Sequence, residues 1–411
     1  MTEAIAAQKK LPGPLDGIRI VEYGVFHAGP GGNAILGDLG ADIIKIEAFS
    51  GDPERYWTKV AGHDFSLKNN ESLIFDASNR NKKSICLDIK QKKGREVFDR
   101  LIKDADVFLT NLRKSTKAER GLDYATISKL NPDIIYASVS GYGTEGPMSN
   151  LGAFDPLGSA RSGMMFVAGE QEPHLLHIGI LDQTTAITVS HGIITALLDR
   201  ERRGVGQEVH ISLYSTGLWM QYMNLLIAGV FSVNPCSLGD RSEHSPLRNR
   251  YRCKDGKWIF GTHHPENKYW ATFCKVTEQD ALLEDSRFTT ESGAPDNYAE
   301  LNEIFDKVFA TKTGDEWMEI FLPHGLMFCA VQNILDVVTD PQALANDYLV
   351  PFEHPVQGDI QIPAYPIKFS GCTAETKRAA PQLGEHTDAV LEDAGYSKAQ
   401  IDSLKKAGVV K

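Results

Sequence analysis

Long apolar runs are missing from this 411-residue chain. Nowhere do the ~18 consecutive apolar residues of a membrane span occur. An excess of positive charge is missing too: the net charge is -11, which argues against a nucleic-acid partner and provides no membrane-binding surface. The opening MTEAIAAQKK has no apolar stretch of the kind that directs export, so a cytoplasmic protein is expected. Cysteine is sparse and scattered, at Cys86, Cys236, Cys253, Cys274, Cys329 and Cys372. With no CxxC spacing these read as reduced, mostly buried thiols and not as a zinc site or disulfide frame. The sequence also lacks HExxH, DxDxDG, GxSxG and a Walker lysine loop, which removes several enzyme classes. What is present is 42% hydrophobic and 24% charged, an ordinary globular composition. The length exceeds one core and predicts two domains.

The stretch from Gly179 to Tyr214 organises the rest. An apolar helix runs from about Asp182 through Ile194, Leu197 and Leu198 into the charged run Asp199–Arg203, with Gly204 as its stop. An alternating strand, Glu208 to Leu213, follows. Asp182 stands at the helix entrance, where unpaired N–H groups and the positive end of the dipole favour a carboxylate. It reads either as an N-cap or as a reactive group; a carboxylate can attack an activated acyl group and form a covalent intermediate.

Upstream, residues 1–14 read as a loose arm. Ile18–Tyr23 is strand-like, Gly24–Gly32 a glycine-rich turn, and a short helix reaches about Leu39 before a second strand, Ala41–Glu47. This is a βαβ unit. Its turn can cradle a phosphate, but no GxGxxG fits it, and tight-turn geometry also accounts for the glycines. Strands at Ile85–Ile89, Asp106–Thr110 and Ile134–Val139 repeat the rhythm, with helices at Lys93–Lys103 and Tyr124–Leu130. Their C-terminal loops are polar or glycine-rich, and in open parallel sheets that edge binds ligands. The basic run Asn79–Ser84 is a candidate anion site. Beyond Tyr214 one long apolar helix is expected over Thr216–Phe231, then a polar loop, Asn234–Arg250, and a smaller α+β domain with a turn at Asp255-Gly256. His263-His264 reads as a surface loop. Gln361–Phe369 reads as a strand. The expected division is residues 1–225, 226–345 and 346–411, the last returning to the first domain.

Taken in order, several segments resemble class III CoA-transferases, the family of formyl-CoA:oxalate and carnitine CoA-transferases. They are Leu15–Glu22, Ala28-Gly29-Pro30, Leu39–Glu47, Asn81–Ile85, Ala105-Asp106-Val107, Ser138–Gly143, Asp182 with Ala196-Leu197-Leu198, Gly204–Gln207 and Leu383–Thr387. The resemblance implies a Rossmann-like α/β domain built from both chain ends, a small α+β domain, and two chains interlocked as a dimer. It also implies that Asp182 attacks a donor acyl-CoA, forming a mixed anhydride and then an aspartyl-CoA thioester, with no permanent cofactor and no metal. By the same matching, coenzyme A runs along His27 and Ala28, then Leu87, Asp88, Ile89 and Lys90, then Asn111, Leu112 and Arg113, then Ser140, Gly141, Tyr142 and Gly143. Backbone amides near Ser140 and Gly141 would polarise the carbonyl.

The chain also departs from the family. Ala48 replaces an arginine that some members direct at CoA. Glu119 or Arg120 takes another arginine position; Arg120 is favoured because an acid there would repel phosphate. Ser242–Tyr251 replaces the glycine-rich loop of the oxalate enzyme, which disfavours oxalate, and Arg248 and Arg250 are candidates for a dicarboxylate. Phe26, Trp57, Trp219 and Tyr222 offer an aromatic lining. The expected function is CoA transfer, with succinyl-CoA as donor, to an aryl or dicarboxylic acid, as in the subunits of the succinyl-CoA:benzylsuccinate enzyme. Two alternatives stand: an α-methylacyl-CoA racemase, for which His191 is a poor partner to Asp182, and a non-catalytic CoA-binding subunit of a heteromer.

Overall fold

The computed structural model describes residues 11–60, 62–166, 172–175, 179–235, 240–288 and 295–411. Most of the expected N-terminal arm, and Cys236, lie outside the described residues. The described residues fall into two compact units, one of residues up to 166, 172–234 and 347–411, the other between 235 and 346.

The first unit is built on six parallel strands: β1 (Arg19–Tyr23), β2 (Asp42–Glu47), β3 (Lys82–Cys86), β4 (Val107–Thr110), β5 (Ile135–Ser140) and β6 (Gln207–Ser212). Their spatial order is β3-β2-β1-β4-β5-β6, every neighbour parallel. The chain thus winds outward from β1 in one direction and from β4 in the other, and a crevice opens at the C-terminal ends where the direction reverses. The mixed α/β class with a parallel central sheet, expected from the sequence, is the one adopted.

Strand alternation divides the core. Ile20, Ile43, Val107, Leu109 and Ile135 face one layer, which contains Leu181, Val189 and Ile193. Val21, Ile44, Phe108 and Tyr136 face the other, which contains Phe98, Leu101, Leu391 and Leu404. The helices are α1 (Ala28–Asp38), α2 (Leu73–Asn79), α3 (Lys92–Lys103), α4 (Lys114–Glu119), α5 (Tyr124–Leu130), α6 (Asp155–Ser162), α7 (Ile180–Arg203), α8 (Leu213–Met220) and α9 (Tyr222–Phe231). Helix α7 packs closely on α1 because Gly32 has no side chain: a Cβ there would lie 2.5 Å from Val189 Cγ1.

The second unit has an antiparallel sheet of β7 (Arg250–Arg252), β8 (Trp258–Gly261) and β9 (Phe328–Val331) in the order β9-β8-β7. Helices α10 (Asn267–Val276), α11 (Tyr298–Phe309), α12 (Gly314–Phe321), α13 (Ile334–Val338) and α14 (Pro341–Ala345) accompany it. Its core is aromatic: Phe273, Phe305, Phe309, Trp317 and Phe321 pack together. The chain then returns to the first unit with the hairpin β10 (Leu349–His354) and β11 (Gly358–Pro363), followed by α15 (Thr387–Asp393) and α16 (Lys398–Lys406).

Four expectations are corrected. The long helix after Tyr214 is two, broken at Gln221, whose side chain is drawn to Ser162 O at 2.7 Å. The strand expected at Ile85–Ile89 starts at Lys82 and ends at Cys86, because it pairs with β2 from its first residue. The C-terminal strand stops at Pro363, where proline removes a ladder donor. His263 is no surface residue: it is 1% exposed, and its Nδ1 donates to Leu247 O while Nε2 accepts from Met327 N.

Candidate active site

Three loops leave the sheet at the crevice. β1 runs into Gly24–Ala28, β4 into Asn111–Arg113 and β5 into Gly141–Gly143. Together with the start of α7 they enclose a cavity of about 840 Å³. Asn111 ties the first two loops. Its Oδ1 accepts from Val25 N at 3.0 Å, and its Nδ2 donates to Val25 O at 2.6 Å. Phe26 is held at a φ of 60°, a region bulky residues avoid, and its N–H donates to Asp52 Oδ1 at 3.2 Å. This strained turn aims the Phe26 ring at Phe154, 5.0 Å away edge-on, and at Trp57, 6.3 Å away.

The turn rests on buried charge. Lys45 bonds Glu22, Gly24 O and Asp52; Lys82 bonds Glu22, Asn79 and Pro30 O; Arg55 holds Glu47 through Nε at 2.8 Å and Nη2 at 2.7 Å. Burial alone would raise the Glu22 carboxyl, but Lys45 and Lys82 outweigh it and hold it at about 2. The expected anion site at Asn79–Ser84 is therefore corrected. Lys82 is consumed inside the fold, Arg80 by Asp38, and Lys83 by Asp42.

Asp182 is half-buried in the first turn of α7 and lines the cavity. It is not the helix cap. Gly179 takes the N-cap position at a φ of 57°, and the capping carboxylate comes from another helix: Asp155 Oδ2 accepts from Leu181 N at 2.7 Å and from Asp182 N at 3.0 Å. The Asp182 carboxyl is left for other work. Burial, with Asp155 adding repulsion, pushes it up to about 7. Such a carboxylate is still substantially ionised at neutral pH and more basic than a solvated one.

Of the residues expected along the ligand, His27, Ala28, Asn111, Leu112, Arg113, Ser140, Gly141 and Gly143 line this cavity with Asp182. Leu87, Asp88, Ile89, Lys90, Tyr142 and Arg120 lie outside its lining. Leu87 and Ile89 are buried in the core, Lys90 is exposed, and Tyr142 is partly buried. Arg120 Nη1 reaches Tyr23 Oη at 3.3 Å, with Tyr23 also within electrostatic range of Asp88. Glu119 is exposed. Sequence reasoning missed Asp155, Lys117 and Phe154, all of which shape the site. Lys117 Nζ lies 2.5 Å from Ser138 Oγ at the cavity wall. Asp155 reads locally only as the Asp-Pro start of α6; its true contact is across the fold. Trp219, Tyr222 and His191 are exposed and line no part of the cavity, and Arg248 and Arg250 are exposed on the second unit.

Residues 15–387 match the family model described as CoA-transferase family III. The chain belongs to CoA-transferase family III. It is 31% identical to the (R)-2-hydroxy-4-methylpentanoate CoA-transferase of Clostridioides difficile, over 97% of this chain and 99% of that protein. It is also 31% identical to the succinyl-CoA:glutarate CoA-transferase of Mus musculus, over 97% and 90%. Among solved structures, a CAIB/BAIF family protein from Brucella suis matches with a TM-score of 0.82 and 26% identity, covering 93% of this chain and 100% of that one. The protein is accordingly a CoA-transferase whose relatives move CoA between acyl-CoAs and acids. Among the described residues no helix is long and apolar enough to cross a membrane.

Proposed function

We propose that this family III CoA-transferase moves CoA from succinyl-CoA to a carboxylic acid with an apolar or aryl body, of the benzylsuccinate kind, with Asp182 as the covalent relay. The observation that carries the reading is Asp182 itself, a cavity carboxylate freed from capping by Asp155 and raised towards neutrality. The donor follows the name of the succinyl-CoA:glutarate relative. The acceptor class follows the Phe26, Phe154 and Leu157 lining.

Asp182 attacks the thioester carbonyl; the C–S bond breaks and CoA leaves as thiolate, giving a mixed anhydride. The thiolate attacks the aspartyl carbonyl, releasing succinate and leaving an aspartyl-CoA thioester. The acceptor carboxylate attacks that thioester, and the thiolate returns to the acceptor's carbonyl, regenerating Asp182. Backbone amides near Ser140 and Gly141 polarise the carbonyl in each step. CoA lies along His27-Ala28, Asn111–Arg113 and Ser140–Gly143. Arg113, Lys114 and Lys117 give the cavity a cationic side for its phosphates. Beyond it, Arg120 and Asp88 flank Tyr23 and extend the path to Leu87–Lys90. No step needs a metal or redox group.

The chains assemble as an interlocked dimer. Helix α9 supports this: none of its ten residues is buried, and Met223, Val230 and Phe231 are each about 70% exposed or more. The test of the reaction is trapping. Hydroxylamine added to protein with succinyl-CoA gives a hydroxamate at Asp182 by peptide mass; an unmodified Asp182 in protein that is turning over would sink the proposal.

A further inference from the structure

Three cations line the cavity, and they are not alike. Arg113 and Lys114 are exposed. Lys114 donates to Thr144 O at 3.1 Å and has Glu145 at 3.7 Å. Lys117 is half-buried on α4. Its Nζ donates to Ser138 Oγ at 2.5 Å and lies 5.8 Å from the centre of the Tyr136 ring. Ser138 and Tyr136 are both buried on β5, so the two props are fixed. The acids nearby are otherwise engaged. Glu208 Oε1 lies 3.2 Å from His210 Nε2, and Asp123 caps α5 by accepting from Thr126 N at 3.0 Å. Burial lowers the ammonium's pKa; Glu208 and Asp123 oppose this through charge alone, without bonding it. An ammonium has three protons to give. One goes to Ser138, and two are left for a ligand in the cavity.

Depth selects the ligand. Ser138 and Ser140 project from the same face of β5, two residues or about 7 Å apart. The Ser140 end is where the thioester carbonyl is polarised in the proposed reaction. In a succinyl group the free carboxylate stands about 4 Å from the thioester carbon, and a hydrogen bond spans about 3 Å more. Together these reach the level of Ser138. The phosphates of CoA do not stop there: a pantetheine arm of about a dozen bonds sets them on the order of 15 Å from the sulfur. Lys117 adds to the field that draws the phosphates, but its free protons lie at acyl-chain distance.

We propose that Lys117, propped by Ser138, selects dicarboxylic acyl groups, its ammonium receiving the free carboxylate while the thioester end meets Asp182. A dicarboxylic acceptor places its second carboxylate on the same ammonium when it follows the donor into the cavity. Being half-buried, the pair is screened less than one at the rim. The proposal rests on the Asp182 cavity being the site of transfer.

The test separates binding from turnover. Full-length Asp182→Asn lacks the relay carboxylate, so succinyl-CoA and butyryl-CoA can be compared on it as ligands by titration calorimetry. The two thioesters differ only at the end of one chain, a carboxylate against a methyl group. Adding Lys117→Met keeps an unbranched stem over Tyr136 and removes the charge. It is expected to weaken succinyl-CoA by roughly 10- to 100-fold and to leave butyryl-CoA within about threefold. Ser138→Ala removes the prop and should weaken succinyl-CoA alone, by about threefold; it reports on the site even if Lys117→Met fails to fold. Equal loss of both thioesters in a folded Lys117→Met protein overturns the proposal, because the contact is then to the CoA part they share. Unchanged affinity for both overturns it as well. Selective loss of succinyl-CoA binding, alongside a wild-type protein in which Asp182 is never modified during turnover, would keep the carboxylate site and sink the Asp182 relay instead.

Discussion

Asp155 and Asp182 are 27 residues apart and divide one task between them. The first satisfies the start of α7; the second keeps a free carboxyl whose basicity the first raises. Asp182→Asn is expected to lower transfer by roughly 10⁴-fold with little change in melting temperature. The reactive form is the carboxylate, so the rate rises with pH through about 7, where Asp182 ionises. Asp155→Asn removes the repelling charge and should move that acid limb to lower pH, while weakening the cap. An acid limb that stays put in Asp155→Asn would contradict the coupling. Asp182 itself was legible in the sequence, from its position at a helix start and from the segments around it. Asp155 was not, since a carboxylate that caps a different helix leaves no local pattern.

At the scale of elements, the buried charges beneath Gly24–Ala28 join β1, β2, β3 and α2. Glu22 is ionised in the fold down to about 2, whereas in the unfolded chain it protonates near 4.5. The stability it contributes is therefore complete above about 4.5 and is lost as pH falls towards 2. Glu22→Gln leaves Lys82 without its buried counter-charge and should cost about 3–5 kcal/mol in urea unfolding at neutral pH. A loss below about 1 kcal/mol would show that the lysines find other partners. These strands were legible from their apolar runs and glycine turns. The fate of Lys82 was not: a basic residue beside Asn and Gly looks the same in sequence whether it meets a ligand or a carboxylate from another strand. Gln221 likewise breaks an apolar run whose periodicity alone reads as one helix, because its anchor at Ser162 lies 59 residues away.

Over the whole molecule, both chain ends contribute to one sheet-centred unit. The C-terminal α15 and α16 place Leu391 and Leu404 in the same layer as Phe98 and Phe108. Arg55 Nη1 also donates to Pro381 O at 2.9 Å, tying the returning chain to the charged layer. The apolar α9 left exposed on this unit is expected to be covered by a second chain. Light scattering after gel filtration should give a dimer mass, and Val230→Asp with Phe231→Asp should give a monomer. A wild-type monomer at micromolar concentration would exclude the interlocked assembly.

The central claim, that Asp182 carries CoA covalently, predicts where oxygen goes. Each turnover returns one oxygen of the acceptor carboxylate to Asp182, and the next turnover passes an Asp182 oxygen to succinate. With succinyl-CoA and an ¹⁸O-labelled carboxylate acceptor, the peptide bearing Asp182 should gain ¹⁸O, and labelled succinate should follow. Turnover that forms the acceptor's CoA thioester while Asp182 stays unlabelled would contradict the account.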